Sequence, residues 1–348
     1  MERVRIGLLG AGFVSGFYLQ ALQHVRDHDV VAISSRTRER ASAVADQWGI
    51  PVAVTGVTDV VSRNDVDLVV IGLPHHLHVE AVRAAARAGK AVLCTKPLGR
   101  NAEEARACLW AVEQAGVWHG YAETELFVPA IRQAKHLVDT GAVGDVYWVR
   151  AREAHSSPHA HARDRELMGG GPLRGLGIHG VAIGRWFFGG SVPTEVLAWG
   201  DRLVRDDVDS EDSAVAMIRF PDRRVAQVEV GWGHQAGLDV RTEIHGSAGY
   251  IATDHTGQTG VRAFAGESAG YVLEKAGFDR GWISPVPQEF WNYGYHGELD
   301  HFVHAFLAGK EPLQTFRDGV IDNAVVDAAY LSMGSGGWET VDPGLLAG

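Results

Sequence analysis

The sequence predicts an α/β chain in two parts: a doubly wound parallel sheet over residues 1–122, then an α+β domain built on a large, mainly antiparallel open sheet over 123–348. Three observations carry this. In the first third, short apolar runs alternate with stretches of helical periodicity, the pattern of parallel strands joined by crossover helices. The first of those runs opens directly onto a glycine turn and then onto a helical stretch. Beyond about residue 123 the rhythm changes to longer strands with hairpin turns, and two amphipathic helices follow near the end. At 348 residues the chain is also long for one core, so two domains are expected.

Taken in order, the first-part strands are expected at about 3–9, 29–34, 52–54, 67–73, 91–94 and 117–121. Leu77, Ala81, Ala84, Ala85 and Ala88 form one helix face, with Arg83 and Arg87 on the other and Gly89 closing it. Ala105, Leu109 and Val112 repeat the pattern in the next helix. In the second part, the apolar run 214–220 turns at Pro221-Asp222-Arg223 into the run 225–230, and a second hairpin turns over 246–249. Leu299, Phe302, Val303, Phe306 and Leu307 stripe one terminal helix, and Ala324, Val325, Ala328 and Leu331 the other. Helices over 296–335 are expected to pack back on the first domain. The stretch 263–277 is the least patterned and reads as a mobile loop, while Trp232, Trp282 and Trp291 read as core or interface residues.

The glycine turn carries the first chemical signal. The run Val4-Arg5-Ile6-Gly7-Leu8-Leu9 leads into Gly10-Ala11-Gly12-Phe13-Val14-Ser15. A pyrophosphate is held by bare backbone N–H groups at the positive end of a helix only where side chains stay out of the way. Gly10 permits the tight turn, Gly12 lets the backbone approach the phosphates, and Phe13 and Val14 open the helix beside them. Ser15 stands where this fingerprint has Gly or Ala, and its small hydroxyl still allows close helix–strand packing. The first part is therefore expected to be a Rossmann dinucleotide-binding domain. Its second strand ends in Ser34-Ser35-Arg36, with no carboxylate to accept from the ribose hydroxyls of NAD. Ser35 donates to a 2′-phosphate and Arg36 pairs with it, so NADP is the preferred cofactor and NAD the alternative.

The fourth strand runs into Pro74-His75-His76-Leu77-His78 and the fifth into Thr95-Lys96-Pro97. Both ends fall at the carboxyl edge of the sheet, where doubly wound folds bind ligands. Pro74, His78 and Lys96 are expected beside the cofactor. The Lys96 ammonium is also placed to stabilise an alkoxide on the substrate. The 75–78 histidines do not read as a metal site, because neighbours at a helix start point to different faces. The segment 153–163 should overhang the substrate, with His155, His159, His161 and Arg163 offered to its hydroxyls. It contains a proline and shows no clear fourth ligand, so no metal is expected. Tyr121, Glu123 and, on weaker grounds, His296 are further rim positions.

Gly10-x-Gly12, the 74–78 segment, Thr95-Lys96-Pro97 and a later Gly169-Gly170-Gly171-Pro172-Leu173-x-x-x-Gly177-x-His179 together resemble the Gfo/Idh/MocA family of sugar and cyclitol dehydrogenases. The resemblance implies hydride transfer between nicotinamide and a carbinol carbon of a sugar, glycoside or cyclitol. In that family the lysine of a Glu-Lys-Pro motif, and an Asp and a His of a later helix, handle the proton. Carried over residue by residue, this gives Lys96 and His179 as catalytic groups that also touch substrate. Thr95 replaces the usual Glu and Gly175 the usual Asp. The second change matters more, because an acid beside an imidazole raises its pKa by about 1–3 units and holds its tautomer. Either Lys96 and His179 suffice, or another group from the same cleft substitutes. Two alternatives stay open: a nucleotide-recycling glycosidase of the same fold, and a non-catalytic nucleotide or sugar sensor.

Composition narrows the class further. The net charge of -11 and the lack of any Lys/Arg run argue against nucleic acid as a partner. Cys94 and Cys108 give no disulfide framework, no cationic-then-apolar leader precedes the first strand, and no apolar stretch is long enough to span a bilayer. A soluble cytoplasmic protein acting on a small molecule is expected. One face of the second sheet should lack helices, and an apolar sheet face finds a partner, so a homodimer or homotetramer is expected.

Overall fold

The computed structural model describes residues 3–342 apart from 159, 236, 258–259, 267–279, 285 and 287, and the side chains of 160 and 161. Along the chain run β1 (Val4–Leu9), α1 (Phe13–Leu22), β2 (His28–Ser34), α2 (Arg38–Trp48), β3 (Val52–Val54), α3 (Val57–Val61), β4 (Leu68–Ile71), α4 (His78–Arg87), β5 (Ala91–Thr95), α5 (Ala102–Ala115) and β6 (His119–Ala122). There follow α6 (Pro129–Asp139), β7 (Val146–Ala154), α7 (Arg165–Met168), α8 (Ile178–Phe187), β8 (Glu195–Asp201), β9 (Ser213–Arg219), β10 (Val225–Gly231), β11 (Asp239–Gly246) and β12 (Gly249–Asp254). The last are β13 (Ala263–Ala265), β14 (Gly281–Ile283), α9 (Glu289–Asn292), α10 (Tyr295–Leu307), α11 (Phe316–Ser335) and β15 (Glu339–Thr340). The chain forms two compact units, one of Met1–Thr124 with Gly294–Val320, the other of Glu125–Tyr293 with Ile321–Gly348.

The first unit holds a six-stranded sheet in the order β3-β2-β1-β4-β5-β6, with every pair parallel. Its inner strands are buried on both faces, which is why they read as continuous apolar runs. Local signals set the helix ends. Thr37 caps α2 by accepting from the Arg40 N–H and Asn101 caps α5 by accepting from that of Glu104, while Gly49 and Gly116 close the two helices in the left-handed region. The α10 segment belongs to this unit: Phe17 of α1 stacks on Tyr295 at 4.8 Å, and Phe302 lies so close to β6 that a Cβ on Gly120 would sit 2.6 Å from its ring.

His119, at the start of β6, gives this unit a pH dependence. Burial and the Arg317 guanidinium push its pKa down to about 4, and its Nδ1 accepts from the Phe316 N–H at 3.2 Å, a bond that only the neutral ring makes. The unfolded chain takes up this proton below about pH 6.5. Stability should therefore be level above about 6.5, fall as pH drops towards 4 by about 3 kcal/mol, and lose nothing more from this group below that. His28 and His78 are depressed by burial in the same sense. Urea unfolding over a pH series isolates the His119 share as the slope that His119→Gln removes.

The second unit holds a seven-stranded sheet in the order β12-β11-β7-β10-β9-β8-β15. Every pair is antiparallel except β7 with β10, which is parallel. Helix α8 packs on β7 and β10 through glycines: a Cβ on Gly180 would lie 2.8 Å from Val228 and one on Gly184 2.6 Å from Ala226. Behind it, the Arg185 guanidinium pairs with Asp322 of α11 at 2.8 Å, both groups buried.

Several expectations need correction here. The other face of this sheet is only partly apolar: Leu197, Trp199, Val215 and Met217 lie on it along β8 and β9, while along β7, β10 and β11 Arg150 pairs with Glu243 at 2.7 Å, and Arg152 with Glu229 at 2.6 Å and Asp239 at 2.9 Å. Cross-strand opposite charges stabilise such a surface facing water. Of the tryptophans read as core or interface, Trp232 is core at 2% exposure, while Trp282 and Trp291, 63% and 45% exposed, are not core; Trp282 lies on the two-stranded β13–β14 ribbon against Phe264. Leu331 is likewise exposed, because α11 buries Ala324, Val325 and Ala328 on a face that turns away from it. Of the stretch read as a mobile loop, 263–265 is strand and 267–277 lies outside the described residues.

Candidate active site

In the first unit the β1–α1 turn meets the demands of a phosphate cradle. Gly10 has φ of +103°, and a Cβ there would lie 2.5 Å from the Gly72 carbonyl oxygen at the end of β4. That contact lies between β1 and β4, where the strand order reverses and open α/β sheets bind their ligands. Gly12 is the N-cap of α1, and a Cβ on it would meet nothing within 4 Å. The first turn of α1, which begins with Phe13 and Val14, carries no acid, so the helix dipole there is not cancelled. Arg40 ties the turn down from outside by donating to the Ala11 carbonyl at 2.9 Å. Past β2, Ser35 is buried and Arg36 exposed. These residues fit a dinucleotide.

At the carboxyl edge of the same sheet, Pro74 is half-buried and His78 fully buried. The His78 ring nitrogens face the Pro97 and Leu73 carbonyls at 3.0 and 2.9 Å, so this ring straps the end of β4 to the end of β5. Lys96, next after β5, donates its N–H to the Ala122 carbonyl at 3.3 Å. Tyr121 and Glu123 are buried nearby at the end of β6. Sequence reasoning missed Glu298 of α10, fully buried, whose Oε1 accepts from the Thr124 hydroxyl at 2.9 Å. Burial pushes its carboxyl well above the usual range; the Glu123 charge adds to this, and the Thr124 bond and the Lys96 ammonium oppose it.

In the second unit, the glycine-rich segment forms a π-helical turn, Leu173–Gly177, that leads into α8 and sets His179 one turn inside a buried helix. Two buried carboxylates and two further buried imidazoles accompany it. Glu153 Oε2 lies 3.9 Å from His179 Nε2, while Glu153 Oε1 accepts from His155 Nε2 at 2.9 Å. Glu125 lies 3.5 Å from His255. Burial disfavours charge on both members of that second pair, yet their mutual attraction outweighs it: the Glu125 carboxyl is held below its usual range and the His255 imidazole above. A cavity of about 10 Å³, the size of one water at most, lies among Glu125, Glu153 and His179.

The structure thus brings His155 and His179 together around Glu153. Arg163 instead pairs with Asp207 at 2.8 Å, and the Asp207 carboxyl is held to about 2 by Arg205 and Arg163. His159 and the His161 side chain lie outside the described residues. His296, in the first unit, faces the His24 carbonyl at 3.4 Å. No group of three or more His, Cys, Asp or Glu among the described residues is arranged to hold a metal ion. None of the described helices is long and apolar enough to cross a membrane.

Residues 4–122 match the model of an oxidoreductase family with an NAD-binding Rossmann fold, so the chain is a nicotinamide-dependent oxidoreductase. Residues 131–252 match the GFO/IDH/MocA C-terminal domain, and the chain belongs to that family. It is similar to inositol 2-dehydrogenase of Rhizobium meliloti (strain 1021), 27% identical over 337 residues that cover 95% of this chain and 97% of that protein. Among solved structures, GenD2 from gentamicin A biosynthesis in complex with NAD superposes with a TM-score of 0.91 at 28% identity, covering 98% of this chain and 97% of that one. Levoglucosan dehydrogenase in complex with NADH gives 0.83 at 25% identity, covering 98% and 99%.

Proposed function

We propose that this oxidoreductase transfers hydride between NADP and a secondary hydroxyl, or the matching ketone, of a sugar, glycoside or cyclitol. The observation that carries the reading is Lys96 at the carboxyl edge of β5, in the same unit as a β1–α1 turn shaped for a dinucleotide. The nicotinamide, when bound, accepts the hydride in oxidation or donates it in reduction. Lys96 stabilises the developing alkoxide and His179 takes the hydroxyl proton, directly or through water. Tyr121, Glu123, His155, His159, His161 and Arg163 are the further candidates for substrate hydroxyls. The dehydrogenase relatives, which act on inositol and levoglucosan by name, support a small polyol as substrate.

NADP is favoured over NAD because Ser35-Arg36 presents no carboxylate to repel a 2′-phosphate. The test is reduced-nicotinamide absorbance with either cofactor against inositols, free sugars and glycosides. Turnover on at least one polyol, with higher kcat/KM for NADP, is expected; Arg36→Asp should reverse the cofactor order. Nucleotide binding without turnover on any of them would overturn the proposal. We also propose a homodimer or homotetramer, for which sedimentation of a monomer at micromolar concentration is the contrary result.

A further inference from the structure

We propose that Glu153 is the positioning carboxylate of His179, the group that holds its imidazole oriented and favours its charged form. The inference rests on the proton-accepting role proposed above for His179.

A base that takes a proton inside a buried helix needs an anion close by, or burial alone keeps the ring neutral. The helix itself offers none: the position one turn before His179 is Gly175, where a Cβ would meet the Met168 terminal methyl at 2.9 Å and Trp232 at 3.9 Å. The anion comes from the sheet beneath. Glu153 sits on β7 at a position where strand alternation points towards α8, in line with the buried Val149 and Ala151, and it is 8% exposed. Its two oxygens are divided. Oε1 takes the direct hydrogen bond from His155, which fixes the carboxylate, and Oε2 points to His179 Nε2 at 3.9 Å. That separation is beyond a hydrogen bond but well inside the range where a charge pair acts at low dielectric.

Of the other charged groups nearby, Glu125 pairs with His255 at 3.5 Å, with the His179 charge as a smaller contribution to holding its carboxyl low, and Arg152, beside Glu153 on β7, pairs outward with Glu229 and Asp239. From β10 and β11 the same cavity receives only Val228, Val230, Val240 and Thr242. Glu153 thus faces His155 and His179 at once.

The test is an NMR titration of histidine-labelled full-length protein, with the His179 signal assigned by its loss in His179→Asn. In Glu153→Gln the His179 midpoint should drop by about one pH unit or more, and in Glu153→Asp it should return at least halfway to the wild-type value. If Glu153→Gln does not fold, judged by circular dichroism, the Glu153→Asp midpoint compared with wild type decides: a longer gap to the ring should lower it by a few tenths. An unmoved His179 midpoint in the folded variants overturns the inference. The readout needs no substrate, so a failure to find any oxidised polyol would count against the proposed function and leave this pairing to stand or fall on the titration.

Discussion

Lys96→Met and His179→Ala should each lower turnover by about 10²–10⁴-fold, the range that one proton-transfer group or one oxyanion-stabilising charge supplies. The two losses should differ in kind. Lys96 is the proposed neighbour of the nicotinamide, and its charge acts on the buried Glu298, so its removal should weaken substrate binding and the chemical step together. His179 lies in the second unit, at the second residue of α8, so its removal should leave nucleotide affinity unchanged and lower kcat. The double variant should be little worse than the poorer single one, because groups that act as a unit in one step are not additive. Steady-state rates on the best polyol, with nucleotide affinity by fluorescence titration, check this; full turnover in both single variants would remove these residues from the mechanism.

The largest stability effect should come from Asp322→Leu. Asp322 is fully buried and Arg185 nearly so, and the pair joins α11 to α8 at 2.8 Å. Removing one partner strands a buried guanidinium, at a cost of about 3–5 kcal/mol. Removing both, in Arg185→Met with Asp322→Leu, should recover most of that, since the desolvation of two charges is then no longer incurred. Urea unfolding of the three proteins gives the comparison. The same helix carries His179, so the single variant should also lose activity through a misplaced base, and the double variant should regain part of it.

The parts of this molecule that could be read in advance are those whose cause is local. The strand, the positive-φ Gly10 and the open N-terminus of α1 sit within one short run, and the physics of a phosphate cradle acts on that run alone. The position of Lys96 was legible for the same reason, since it follows directly on a buried strand. The groups around the proposed base were not, because they arrive from distant elements: Glu125 from the turn before α6, Glu153 from the end of β7, His255 from just past β12. Glu153 is the instructive case. Alternation along Val146–Ala154 puts Val149, Ala151 and Glu153 on one face, and a carboxylate on the apolar face of a strand is a signal that a charge partner waits there. The parallel pairing of β7 with β10 left no mark at all, since hydrophobic alternation is the same in either direction. Trp282 and Trp291 are not core: size argues for burial on average and says nothing about a two-stranded ribbon or a four-residue helix.

The most direct test follows the hydrogen itself. The best polyol found, deuterated at its carbinol carbons, is turned over with the oxidised cofactor, and the reduced nicotinamide is isolated and analysed by mass spectrometry. The account predicts deuterium in the nicotinamide ring and a ketone as product; a released sugar with no net reduced nicotinamide would show that the bound nucleotide is recycled, and would contradict it.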